Sequence, residues 1–258
     1  MNLVKSQNNI IRDILTMTHR NLLKTWHNPD NVSDVIIQPI IFTLLFGYLF
    51  GGAIAGSVQA YLPMLSSGIL VQSVLNAASG SGQQLRDDIN SGIFDRFKTL
   101  PISPIVPLAG QLVGDIFRLF LSGIASLTTA FLMGWQPAVG ISSILEALLL
   151  AVFIGWAISW IFALVGLLAK NAELIGSLSM IIILVLSFLS NAFIPTKTLP
   201  SSIQLFVKIN PVSSTVTAIR AILRTGIWNG EAIMVLVSGG IIVLIFLPLT
   251  IFVYQRRD

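Results

Sequence analysis

Residues 35–85 read VIIQPIIFTLLFGYLFGGAIAGSVQAYLPMLSSGILVQSVLNAASGSGQQL, 51 consecutive residues without a charged side chain, bounded by Asp34 and Arg86. A helix needs about 20 apolar residues to cross a hydrocarbon core of about 30 Å, so this stretch holds two crossings. Gly51, Gly52 and Gly56 mark the turn between them. No strict polar-apolar alternation competes, which sets aside an outer-membrane barrel. The same reading extends along the chain. Uncharged runs cover 119–145 (interrupted by Gly134-Trp135-Gln136-Pro137), 147–169, 174–196 and 232–255. The expectation is six spans, at roughly 35–54, 61–82, 107–133, 145–169, 174–194 and 232–254.

The composition agrees. Of 258 residues, 54% are hydrophobic and 10% charged, against about 25% charged in soluble domains. Mean hydropathy is +0.86. The net charge of +4 reflects the basic excess that membrane proteins carry for topological reasons, so nucleic acid is not an expected partner. The chain has no cysteine, which excludes disulfides, thiolate catalysis and cysteine metal sites. The first long apolar run starts past residue 34, so no cleavable signal peptide is expected. Six spans put both termini on one side. With that side inward, the inner segments hold ten basic residues (Lys5, Arg12, Arg20, Lys24, Arg86, Arg96, Lys98, Lys170, Arg256, Arg257). The outer loops hold four (Lys197, Lys208, Arg220, Arg224), so both termini are expected in the cytoplasm.

Three pieces lie outside the spans. Residues 8–27 form an amphipathic helix within an N-terminal segment, 1–34. At about 100° per residue, Ile10, Ile11, Ile14, Leu15, Leu22 and Trp26 gather on one side, and Arg12, Asp13, Arg20, Lys24 and His27 on the other, with Leu23 the misfit. Such a basic helix lies in a membrane surface with its charges toward headgroups; a helix docked on protein is the other reading. In the loop 83–102, Leu85, Ile89, Ile93, Phe97 and Leu100 recur at helical spacing amid mixed charges. Ser91-Gly92 is a candidate break and Pro101 an end. This helix is either a connector or a dock for a cytosolic partner. The outer segment 195–231 is punctuated by Pro195, Pro200 and Pro211. It carries two short amphipathic stretches, around Ile203, Phe206 and Val207 and around Val216, Ile219 and Leu223, each too short to span.

The chain lacks the phosphate loop, the zinc-protease pattern and the nucleophile elbow. His19 and His27 both fall on the surface helix, and no metal site is expected. The spans hold almost no ionisable groups, which argues against an enzyme. Asp115 and Arg118 are the exception. Only 15 residues separate Arg118 from Gly134. That is about 22 Å of helix, too little for a crossing, so the third span begins before Asp115 and the pair sits inside the membrane. At i, i+3 the two can face one another, as a structural ion pair or as part of a substrate path. Gly47-x-x-x-Gly51, Gly52-x-x-x-Gly56 and Gly110-x-x-x-Gly114 permit close helix packing.

Three stretches then carry a resemblance. They are Gln38-Pro39-Ile40-Ile41-Phe42 through Leu45-Phe46-Gly47-Tyr48-Leu49-Phe50-Gly51-Gly52; Ser91-Gly92-Ile93-Phe94-Asp95-Arg96-Phe97-Lys98-Thr99-Leu100-Pro101-Ile102-Ser103; and Phe193-Ile194-Pro195 with Leu199-Pro200, Asn210-Pro211 and Ala218-Ile219-Arg220-Ala221. With these, the chain resembles the membrane permease subunit of type-2 ABC exporters, most closely the bacterial drug-resistance permeases. One departure is visible: Thr217-Ala218-Ile219 precede Arg220, where the family often carries an acidic residue.

The resemblance implies an all-α integral membrane protein with six transmembrane helices in a permease domain, 35–258. It adds an N-terminal interfacial helix, a cytoplasmic coupling helix at about 83–102, and short outer re-entrant helices before the last span. It implies docking of the coupling helix on a separate ABC ATP-binding subunit through Asp88, Gly92, Phe94, Asp95, Arg96 and Phe97. ATP and Mg would be bound by that subunit, with no cofactor in this chain. A second permease subunit, identical or different, would complete the unit in a bacterial cell membrane. The expected function is ATP-driven export of an apolar or amphipathic substrate such as a drug, lipid, peptide or glycan. A secondary transporter driven by an ion gradient is the rival, and Asp115 is its only candidate ion site.

Overall fold

The computed structural model describes residues 10–27, 32–99, 102–103, 105–169, 171–194 and 200–256, and of residues 34, 94, 95, 98 and 172 the backbone alone. Lys5, Leu100, Pro101, Lys170, Pro195, Lys197, Leu199 and Arg257, used above, lie outside the described residues. Among the described residues every regular element is helical. In chain order these are α1 (Ile10–His27), α2 (Gln38–Ala55, entered through one π-helical turn, Ser33–Ile37), α3 (Val58–Asn90) and α4 (Ile93–Lys98). Then follow α5 (Val106–Leu132), α6 (Ile141–Leu168), α7 (Ala172–Phe188), α8 (Ser201–Ile209), α9 (Pro211–Thr225) and α10 (Gly230–Gln255).

The helix ends follow local chemistry. Gly56 closes α2 at φ +76°, a left-handed conformation that a side chain resists, and the Ser57 hydroxyl then accepts from the Ala60 N–H to start α3. Asn171, Asn210 and Asn229 cap α7, α9 and α10 in the same way.

Five helical stretches are long and apolar enough to cross a membrane: Val35–Ala55, Val58–Asn90, Val106–Leu132, Ile141–Leu168 and Gly230–Gln255. The expected fifth span, 174–194, differs. Its helix stops at Phe188 after 17 residues, about 25 Å. The stop has a physical cause. The Asn210 side chain donates to the carbonyls of Leu186 and Leu189, both at 2.8 Å, and so caps the helix end. The chain beyond folds back against α3, where the Tyr61 hydroxyl donates to the Phe193 carbonyl at 2.9 Å. The space left over is filled by α9, whose Val216, Ile219 and Ile222 are fully buried although the helix is too short to span. The two short amphipathic stretches around Phe206 and Ile219 are thus helices, α8 and α9.

The central element is α3, which packs against α2, α5, α6, α7 and α9. Leu62, Leu65, Ile69 and Leu70 on it are fully buried. Small residues set the spacing. A Cβ at Gly166 of α6 would collide with the Gly82 backbone of α3, and one at Gly155 with Val74. By contrast α2 and α10 turn Ile41, Leu45, Leu49, Ile233, Val237 and Leu244 outward, the surface a lipid phase covers.

The Gly110-x-x-x-Gly114 spacing serves α1. A Cβ on Gly110 would strike Met17, Gly114 lies under Asn21, and the Thr18 hydroxyl donates to the Gly110 carbonyl at 3.1 Å. The amphipathic helix therefore lies docked along α5, with Ile11, Leu15, Leu23 and Trp26 left exposed. Leu23, the misfit of the helical wheel, belongs to this exposed apolar stripe. Gly47 and Gly51 make close approaches to Met133 and Val58, whereas Gly52 meets nothing within 4 Å.

Candidate functional site

The loop expected to form one amphipathic helix over 83–102 is two pieces. Residues 83–90 are the last turns of α3, and the chain then breaks at Ser91-Gly92. Gly92 adopts φ +68°, the left-handed region that favours glycine, and it redirects the chain into the six-residue α4. Leu85 and Phe97 therefore do not lie along one straight face.

Asp88 is bound inside the protein. Lys24 Nζ lies 2.6 Å from one carboxylate oxygen and Arg20 Nη1 3.3 Å from the other, and the Asp88 side chain is 10% exposed. Arg20 also stacks its guanidinium over the Phe97 ring, 5.0 Å from the centroid. One arginine of α1 thus holds the end of α3 and the face of α4 together. Arg96 points to solvent and Phe97 is half-buried. The side chains of Phe94 and Asp95 lie outside the described residues. On a surface helix Arg20 and Lys24 would face headgroups. They turn inward because the Asp88 carboxylate offers charge-assisted hydrogen bonds. No sequence signal pairs residues 64 and 68 positions apart.

Asp115 and Arg118 do meet, at 3.0 Å, with side chains 3% and 4% exposed. Arg118 reaches across to Ser81 Oγ of α3 at 3.3 Å, and Gln111 Nε2 donates to the Ser81 carbonyl at 2.7 Å. Gly80 lies flush against the guanidinium, where a Cβ would come within 3.0 Å of Nη1. The pair therefore bridges α5 to α3.

On the far side of α3 lies a cleft that charge counting passed over. Gln72, Asn76, Ser79 and Gln83 recur at i, i+4, i+7 and i+11, one stripe of the helix, about 200° around from Ser81 when measured at Ser79. They line a cavity of about 330 Å³ with Gln38 and Phe42 of α2 and Ser179, Met180 and Phe188 of α7. Gln72 is 5% exposed, and its Oε1 has no hydrogen-bond partner among the described residues. The signal was present as uncharged amides at helical spacing within an apolar run. Such a site offers neutral donors and acceptors beside aromatic rings, between two helices long enough to span and the shorter α7.

Residues 12–223 match the family model described as ABC-2 type transporter. The chain is 35% identical over 247 residues to the daunorubicin resistance ABC transporter permease protein DrrB1 of Streptomyces coeruleorubidus, covering 94% of this chain and 87% of that one. It is 29% identical to the putative transport permease ycf38 of Porphyra purpurea, covering 90% and 80%. A shorter match, 30% identical over 134 residues, covers 52% of this chain and 46% of the doxorubicin resistance ABC transporter permease protein DrrB of Mycobacterium tuberculosis.

Proposed function

The chain belongs to the ABC-2 type transporter family, and from that premise we propose that it is the permease half of an ATP-driven exporter for uncharged or amphipathic compounds. A separate ATP-binding subunit would supply the energy, docking on α4 and the turn before it. Two relatives are named as daunorubicin and doxorubicin resistance permeases, which supports a drug-like cargo. In this reading α7 is a sixth, short crossing. Both termini and α4 face the cytoplasm, α8 and α9 re-enter from the outer side, and a second permease subunit completes the pathway.

The single observation that carries the cargo reading is the amide stripe of α3 opening into the cleft against α2 and α7. Among the described residues that line the cleft there is no carboxylate to favour an ion-gradient mechanism, and Asp115 is held by Arg118. The test is drug accumulation in inverted vesicles carrying the permease and its ATP-binding subunit. Gln72→Leu is expected to lower apparent affinity for a hydrogen-bonding cargo about two- to tenfold, the weight of one neutral hydrogen bond. It should leave basal ATP hydrolysis unchanged. Wild-type affinity in both Gln72→Leu and Asn76→Leu would remove the cleft from the pathway.

A further inference from the structure

At the end of the bundle opposite α4, a second cavity, of about 380 Å³, opens where α3 begins, α5 ends and α9 makes its last turns. Arg220 and Arg224 line it, one helical turn apart on the same face of α9, together with Pro63, Met64, Trp135 and Leu223. Like charges at this spacing repel. Arg220 is the more enclosed of the two. Its Nε donates to Ser67 Oγ at 3.2 Å and its Nη2 to the Asn191 carbonyl at 3.1 Å. These are neutral acceptors, and among the described residues neither arginine has a carboxylate within ion-pair distance. Of the two carboxylates near this end, Glu146 is engaged by the Trp228 indole N–H at 2.6 Å, and neither it nor Glu231 lines the cavity. Burial presses the Arg220 pKa down from its ordinary value.

The geometry points to a binding site for the phosphate headgroup of an anionic phospholipid, seated between Arg220 and Arg224, with its chains following the apolar wall of Pro63, Met64 and Leu223. A headgroup supplies the missing negative charge and accepts from the guanidinium edge of Arg220 that the protein leaves unfilled. Trp135, buried at the end of α5, is the residue type that marks the headgroup level of a bilayer. An apolar wall beside two cations suits an amphiphile better than a free anion, which would want polar donors all round.

The test requires neither transport nor ATP hydrolysis, so its failure and that of the exporter reading are distinguishable. The intact permease is taken from mixed phosphatidylglycerol and phosphatidylcholine nanodiscs into native mass spectrometry, and retained lipids are counted. Wild type should prefer phosphatidylglycerol. The exposed Arg224 side chain makes no hydrogen bond or ion pair among the described residues, so R224Q is the primary variant. It should lower the preference about fivefold, the weight of one basic side chain at an anionic surface. R224K should keep the preference, and K208Q, which changes an exposed lysine of α8 outside this cavity, should leave it unchanged. Equal retention of the two lipids, or an unaltered preference in R224Q, would overturn the site. Displacement of the lipid by millimolar inorganic phosphate would identify a free-anion site and overturn the lipid assignment.

Discussion

Asp115 and Arg118 hold each other inside the bundle, with Ser81 and Gly80 of α3 closing over the guanidinium. Removing one partner strands a charge where neither water nor counter-ion reaches it, at a cost of about 3–5 kcal/mol, whereas neutralising both removes the need for pairing. Arg118→Ala should therefore lower the thermal stability and yield of the solubilised protein more than the double variant Asp115→Asn with Arg118→Gln. A double variant that folds well yet transports far worse than either single one would assign the charges to the transport cycle instead. The pair itself is legible in the sequence, because a three-residue spacing and a count of apolar residues to Gly134 suffice. Its partner Ser81 is not, since it arrives from another helix, 37 positions away. Gln72, Asn76 and Gln83 were visible but silent: uncharged amides do not interrupt a hydropathy run, so a count of charges steps over them.

At the scale of elements, α4 is short and cannot be stable alone. It stays placed because Gly92 fixes its departure from α3 and Arg20 of α1 covers Phe97. If an ATP-binding subunit docks here, burying a phenylalanine contributes about 1.5–3 kcal/mol and an exposed charge pair about 0–1 kcal/mol. Phe97→Ala should then abolish most substrate-stimulated ATP hydrolysis in the reconstituted complex, and Arg96→Ala should reduce it slightly. Crosslinking of α4 to the ATP-binding subunit distinguishes lost docking from a helix displaced from the membrane surface, and wild-type stimulation in Phe97→Ala would make α4 a mere connector. The docking of α1 invites a separate trial. Gly110→Leu places a branched side chain against Met17 and the α1 backbone, which the close approach does not admit. Limited proteolysis should cut within α1 far faster in this variant, while α5 and α6 remain protected. Unchanged protection would show that the close approach at Gly110 is not what holds α1. The amphipathic character of α1 was legible, but which of its faces meets protein was not. Its inward face is built of Thr18, Asn21 and Lys24 as much as of apolar residues, and a helical wheel assigns polar side chains to water.

For the whole molecule, the ten-to-four basic bias predicts one orientation. The chain has no cysteine, so single cysteines at the exposed Ser91 and Ser202 report their side directly. An impermeant maleimide applied to intact cells should label Ser202→Cys and spare Ser91→Cys, and labelling of Ser91→Cys would invert the topology. What the sequence alone determined is the class: a helical membrane protein whose expected spans match four of the five long helices to within a few residues, while α3 runs on eight residues past its expected end at 82. Those follow from local rules, since hydrocarbon thickness sets helix length and each helix satisfies its own backbone hydrogen bonds. Tertiary structure alone decided the rest. It ended α7 at Phe188 by bringing Asn210 onto its last carbonyls, and buried α9 in the space so opened. It turned Arg20 and Lys24 inward to Asp88, and set the amide stripe of α3 opposite Phe42 and Phe188. Each of these joins residues distant in the chain, and such contacts form because buried polar groups and helix ends require partners that their own helix cannot supply.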